Sequence, residues 1–463
     1  MRIARTSRNA CRRLALWTAA TAITLVASKP AFAIPAFARK YGTSCQTCHV
    51  IFPKLTPFGE AFRRNGYRFP GVDSDFIKQP PVVLGQEAYK QIFPEAVWPG
   101  ILPSSVPIAI GFNGQALFHS DTNAAAAENG TAFDLSTLIE EGHIWAGGTF
   151  TDDISFFGEL TFSDTVELES AVVFFDDLVG PKHAVNLRVG KTNAWLSSFG
   201  PHSTYVGDVA IATLGVTGLY GATSDTWNVV DNFRRIDVWG IVGGRFEYDV
   251  GIDAGANADV RDSENVYAHV GYKLGGMSLD GEGEGASAGL NAVKPWAETA
   301  LTLDAFAYRS RSHFAVADGT IVDDKAYAIG GGVRGQLESL ELDVGIYTEH
   351  HDHALADGTS VNAISQYNEL SYIVFPWLVP AIRVELSHLS PDGGSSIYDL
   401  RIVPGVAILI RPNLKLTVTG LIEHAKGAPA AGWGTAGGFA APADSDTSVS
   451  EVEQIAATMW FAF

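Results

Sequence analysis

From residue 107 to the end of the chain, apolar and polar residues alternate in segment after segment. Leu414, Leu416, Val418, Gly420 and Ile422 interleave with Lys415, Thr417, Thr419 and Glu423. Leu340, Leu342, Val344 and Ile346 do the same with Glu341, Asp343, Gly345 and Tyr347, and Ile154, Phe156, Gly158, Leu160 and Phe162 with Ser155, Glu159, Thr161 and Ser163. Period two with one apolar and one charged face predicts strands. Beyond the N-terminus no run of about eighteen apolar residues occurs, so helical spans are not expected. About sixteen segments follow this pattern, beginning near 107, 141, 153, 165, 183, 231, 243, 264, 296, 325, 339, 365, 378, 396, 412 and 450.

The connections sort by length. Thr151–Asp153, Val242–Gly244, Glu338–Ser339, Pro376–Trp377 and Arg411–Asn413 read as tight turns, while those near 122–139, 192–230, 310–324, 350–364 and 425–449 are long. Short turns at one end and long loops at the other predict an all-β outer-membrane barrel of about sixteen antiparallel strands, porin-like, over residues 107–463. The stretch Gly275–Pro295 is long at the short-turn end, so a strand is expected to be misplaced there. The chain ends "TMWFAF", with Met459, Phe461 and Phe463 on one face, a terminus similar to the recognition signal of outer-membrane barrels. A soluble β-sandwich would leave the charged faces of so many strands without an interior.

The N-terminus reads as a cleaved secretory signal over residues 1–33. Arg2, Arg5, Arg8, Arg12 and Arg13 form a basic head, Leu14–Ser28 an apolar run and Ala31-Phe32-Ala33 a small-residue cleavage site. Its six basic residues include Lys29 and are matched by no acidic one, so removal takes the formal charge from −19 to −25. Residues 34–80 carry seven basic and three acidic side chains, +4, which leaves the remainder near −29. A nucleic-acid partner is disfavoured by that sign, and attraction of cations is favoured.

Two of the three cysteines stand together in Cys45-Gln46-Thr47-Cys48-His49, followed by several hundred residues without another. C-x-x-C-H is the form of covalent haem attachment: two thiols at that spacing reach the two vinyl groups of one haem, and the adjacent imidazole becomes an axial ligand. A zinc site would need two more ligands that residues 34–80 lack. Thr56 is a predicted N-cap with Pro57 at the first helical position, and Asn65-Gly66 a helix stop. Phe58 and Phe62 share one face of that helix, flanked by Phe52, Tyr67 and Phe69. Some forty residues rarely stand alone, so residues 34–80 are expected to be a haem domain docked on or in the barrel, joined through a linker over 81–106. The second axial position stays open among Lys40, Lys54, Tyr41, Tyr67, the amine of Ile34, and barrel histidines such as His119, His143 and His269, with a pentacoordinate or water-bound iron equally open.

"IPAFARKYGTSCQTCH", followed by Pro53, Leu55, Phe58-Gly59, Phe62 and Asn65-Gly66-Tyr67, resembles the N-terminal cytochrome of the fused monohaem cytochrome c-porin family of iron-oxidising bacteria. The resemblance covers residues 34–70 in detail and the barrel in architecture and length. It implies one covalent haem c and electron transfer from extracellular Fe(II) to a periplasmic cytochrome or copper protein, an iron(II):cytochrome oxidoreductase if catalytic, in the outer membrane of a Gram-negative cell. Among candidate Fe(II) ligands, histidine with carboxylate suits the metal. The densest cluster is His350-His351-Asp352-His353 at the outer end of the eleventh strand, with His119 and His143 as a second pair near the outer rim. A solute porin with a haem plug or sensor, and a haem conduit serving a different donor or acceptor, are the competing readings.

Overall fold

In this computed structural model residues 36–462 are described, apart from the stretches 84–90, 93–100, 104–106, 122–131, 135–138, 197–201, 203–204, 206–231, 256–264, 283–291, 316–319, 355–357 and 428–448 and scattered single positions. The expected signal peptide lies outside the described residues.

Sixteen antiparallel strands close into a barrel. In chain order they are β1 (Ile108–Asp121), β2 (Glu141–Thr149), β3 (Ile154–Phe162), β4 (Val166–Phe175), β5 (Asn186–Thr192), β6 (Phe233–Val242), β7 (Phe246–Asp253) and β8 (Asn265–Gly275). They continue with β9 (Glu298–Ala315), β10 (Ile321–Glu338), β11 (Leu340–His351), β12 (Val361–Tyr372), β13 (Leu378–Pro391), β14 (Ile397–Arg411), β15 (Leu414–Lys426) and β16 (Val449–Ala462). The ring closes where β16 pairs with β1, Phe461 opposite Phe112. A short strand, Ala132–Asp134, pairs with the outer part of β1, so β2 meets only its first half.

Alternation decides which side chain goes where. Along β11, Leu340, Leu342 and Ile346 are exposed on the outside, while Glu341, Asp343, Tyr347 and Glu349 are buried inside. A closed ring leaves no strand edge, so every backbone group can pair within the sheet, as a bilayer requires. Exposed aromatics gather at the short-turn end, where Phe375 stacks on Trp377 at 5.2 Å and Phe150 meets Phe156 at 4.9 Å. They form part of the aromatic girdle of such barrels.

The strand starts agree with the alternation to within a few residues, but β9 and β10 run 18 residues each. Their outer ends therefore extend into what looked like loop at 310–324, leaving 316–320 as the connection; likewise the connection after β11 is shorter than expected. Strands this long exceed the ten or so residues that cross a bilayer, and their polar ends do not need an apolar face.

Inside the ring lies the N-terminal segment. It comprises helices Ala36–Tyr41, Cys45–Cys48, Pro57–Arg64 and Asp73–Phe76 and a small hairpin of His49–Ile51 with Lys54–Leu55. Its charges meet lumen-facing partners of opposite sign. Lys54 pairs with Glu341 and lies 3.9 Å from Asp343; Arg64 Nε donates to Glu247 at 2.6 Å and Arg68 reaches Asp176 at 2.7 Å. Glu60 reaches Arg334 at 3.4 Å. The long connection 276–297 displaces no strand: its described residues Met277 and Asp280 pack on this segment. Asn65 Nδ2 donates to Asp280 O at 2.8 Å, and Met277 lies against the segment's aromatic cluster. The anomaly in turn length was the docking site.

Candidate cofactor cavity

The C-x-x-C-H stretch is built around Thr56. Its hydroxyl donates to Thr47 O at 2.7 Å and accepts from Gly59 N at 3.0 Å, and its own N–H donates to Cys48 O at 2.9 Å. As N-cap of helix Pro57–Arg64, Thr56 thus ties that helix to the cysteine turn, itself capped by Ser44. The two approach so closely that a Cβ on Gly59 would stand 2.0 Å from Cys48 O. Only glycine fits. The helix ends at Asn65, as its sequence predicts, and Gly66 and Tyr67 both take positive φ. That bend lays the Tyr67 ring on Phe157 of β3 at 4.5 Å.

Phe58, Phe62, Tyr41 and Phe69 form a buried cluster, with Phe37, Cys48 and Tyr67 packed on it. Between this cluster and the barrel wall opens a cavity of about 610 Å³, lined by Cys45, Cys48, His49, Phe37, Tyr67 and Trp195 among others. Phe37 fits because Gly147 of β2 leaves the wall flat; a Cβ there would meet its ring at 2.5 Å.

The residues fit a haem held by its vinyl edge. Both thiols and the imidazole line the same space. His49 Nδ1 lies 3.3 Å from Pro53 O, which fixes the ring from behind and would leave Nε2 to face a metal. Burial pushes the imidazole down to about 4, so it is neutral and keeps the lone pair a metal needs. Burial pushes the Cys48 thiol up to about 12 and raises that of Cys45, as expected of thiols in an apolar slot.

Most sequence candidates for the second axial position are engaged elsewhere. Lys40 Nζ donates to Asp73 at 3.0 Å, Tyr41 Oη donates to the same carboxylate at 2.6 Å, and Lys54 is paired with Glu341. Ile34 and the side chain of His119 lie outside the described residues, and His269 does not line the cavity. Tyr67 and His143 do line it. His143 is stacked on Trp145 at 5.3 Å and Trp460 at 4.9 Å, with Glu159 at 3.2 Å from its Nδ1. His202, which comes from the connection after β5, was not legible in the sequence. Two described residues of that connection reach inside: His202 Nδ1 lies 2.9 Å from Pro53 O, and Tyr205 N donates to Glu369 on β12 at 2.7 Å.

The proposed iron ligands on the eleventh strand do not converge. His350 meets Asn362 at 2.8 Å and Asp352 at 3.1 Å, buried His351 meets Asp324 at 2.7 Å, and His353 meets the carbonyl of Asp323 at 2.8 Å. Consecutive strand residues face opposite sides of the sheet. Among the described residues no group of three or more such side chains is arranged to hold a metal ion. Nor are His119 and His143 neighbours: His143 stands opposite Gly111 and His119 opposite Gln454 and Ala132. Eight residues of β1, roughly 26 Å of strand, separate the two levels. The inserted short strand is the reason, and it puts His143 beside the cavity instead of at the rim.

No protein-family model matches the chain, and no curated protein matches it. Solved barrels do. An anion-selective porin from Comamonas acidovorans is similar at 12% identity and TM-score 0.51, over 77% of this chain and 99% of that one. OmpT, expressed in the outer membrane of Vibrio cholerae, is 13% identical at TM-score 0.49, over 79% of this chain and 100% of its own. Salmonella typhi OmpF in complex with daunomycin is 12% identical at TM-score 0.48, over 77% of this chain and 97% of its own. At such identities the likeness, carried by the first of these, is one of fold: the chain is a porin-like outer-membrane β-barrel.

Proposed function

We propose that the chain is an outer-membrane c-type cytochrome-porin fusion. It takes electrons from an extracellular donor, Fe(II) by resemblance, and passes them to a periplasmic cytochrome or copper protein. The observation that carries this reading is the meeting of Cys45, Cys48 and His49 on one cavity inside a porin-like barrel, with Pro53 O behind the imidazole. A haem bound there would supply a one-electron redox centre inside a barrel that crosses the apolar band, about 25 Å tall, that electrons must pass. The chain's own residues do the rest. Cys45 and Cys48 would hold the group covalently and His49 would ligate its iron, while Phe37, Phe62, Tyr67 and Trp195 would exclude water and Lys54, Arg64 and Arg68 lock the segment to the wall.

Stopped-flow addition of Fe²⁺ to the purified oxidised protein tests the donor. Reduction of the haem band is expected, and no reduction across a range of pH overturns Fe(II) as donor. A negative pyridine haemochrome, from a host competent in cytochrome c maturation, overturns the haem itself.

A second reading, solute passage with the N-terminal segment as plug or sensor, is favoured by the porin-like fold alone. Steady ionic conductance of the purified chain in planar bilayers supports it, and a sealed pore excludes it.

A further inference from the structure

Four basic residues of the N-terminal segment each meet a carboxylate: Lys40 meets Asp73, Lys54 Glu341, Arg64 Glu247 and Arg68 Asp176. Arg63 is different. It is 6% exposed and lines the cavity, yet among the described residues it meets no carboxylate. Its Nε has no hydrogen-bond partner; its Nη2 reaches the amide oxygen of Asn193 at 3.5 Å, and its other side-chain partner is the hydroxyl of Tyr67, which is neutral, while Glu60 acts on it only at longer range. The guanidinium lies 4.5 Å over the Trp195 ring, which also carries Arg188 at 4.4 Å. The neighbouring charges are committed: Arg188 to Asp237 and Asp249, Arg64 to Glu60 and Glu247, and Glu60 also to Arg334. His202, which also lines the cavity, is no anion either.

An uncompensated buried charge costs several kcal/mol, so a cation kept there calls for an anion the chain does not supply. A guanidinium presents a planar fork suited to a carboxylate. A haem fixed by its vinyl edge at Cys45 and Cys48 offers two carboxylates, its propionates, at the opposite edge. We propose that Arg63, with Asn193 beside it, is a carboxylate-binding site on the cavity wall that holds a haem propionate and raises the reduction potential of the iron. This rests on the haem reading above.

The test uses the full chain in detergent as wild type, Arg63→Gln and Arg63→Lys, each first assayed by pyridine haemochrome. Spectroelectrochemical titration then reads the midpoint potential, and resonance Raman the propionate bending band. Loss of the cation is expected to shift the reduction equilibrium about tenfold toward oxidised haem, about 59 mV for a one-electron couple, and to move the Raman band. Arg63→Lys keeps the charge and loses the fork, so its potential stays near wild type while its band shifts; it carries the test if Arg63→Gln does not accumulate. A haemochrome-negative wild type overturns the underlying reading and this site with it. A positive wild type whose variants leave both potential and band unchanged overturns this site alone. A wild-type potential that moves with added chloride, and loses that response in Arg63→Gln, assigns Arg63 to an exchangeable small anion and overturns the propionate.

Discussion

The Nδ1 of His49 and the Nδ1 of His202 lie 3.3 Å and 2.9 Å from one acceptor, the carbonyl oxygen of Pro53. A residue of the C-x-x-C-H motif and a residue of a long barrel connection are thereby held against the same atom. The N-terminal segment and the barrel are coupled at the point where the His49 imidazole is oriented.

Replacing His202 by Ala removes one of the two donors competing for Pro53 O. The remaining hydrogen bond to His49 strengthens and the ring becomes a more basic ligand. A fall in haem reduction potential is expected without loss of haem, measured by redox titration with haemochrome quantitation. His49→Ala, in contrast, is expected to abolish the low-spin spectrum.

Gly59→Ala places a methyl where Cys48 O already stands, at 2.0 Å. Neither neighbour is a flexible side-chain end, so the helix and the cysteine turn must part. A loss of about 1–3 kcal/mol in local stability is expected from such overpacking, seen as faster hydrogen exchange at Thr56 and Gly59 and a lower yield of haem-loaded protein.

Glu341→Gln leaves Lys54 beside a neutral partner in the barrel interior. Breaking one side of a buried pair costs about 3–5 kcal/mol. Limited proteolysis is expected to cut residues 36–78 of this variant while the barrel stays intact.

Glu60 is buried, which by itself raises a carboxyl, but Arg64 and Arg334 override this and hold it well below the usual carboxylate range. A depressed folded value stabilises the charged form, so the contribution is complete above about pH 4.5 and is lost as pH falls further. Protection of the helix Pro57–Arg64 against exchange is expected to drop below that pH, and Glu60→Gln to remove most of the dependence.

On the outer face, Leu342→Arg puts a charge against lipid, since Leu342 is 45% exposed on β11. A cost of about 2–4 kcal/mol is expected near mid-bilayer, read as reduced folding yield into vesicles with the cavity unchanged in the protein that does fold.

The strands and the caps were legible because each depends on neighbours in sequence. Alternation placed β11 and β15, and Thr56-Pro57 and Asn65-Gly66 gave both ends of one helix. The cavity wall was not. Trp145, Trp195, His202 and Trp460 come from four separate stretches, and only ring closure and the inward reach of His202 bring them to Cys48. Arg63 counted as one more positive charge until its missing carboxylate gave it a role. The cluster at His350–His353 misled in the opposite direction: adjacency in sequence looked like convergence, although period two sends neighbouring side chains apart.

The cavity's barrel walls include β2, near the start of the ring, and β16, its last strand, with Trp145 and Trp460 both in contact with His143. No stretch of chain contains that wall by itself. It comes into being when the final strand finds the first, so the chamber is a seam, and its indoles are a built-in optical reporter of the moment the barrel is finished.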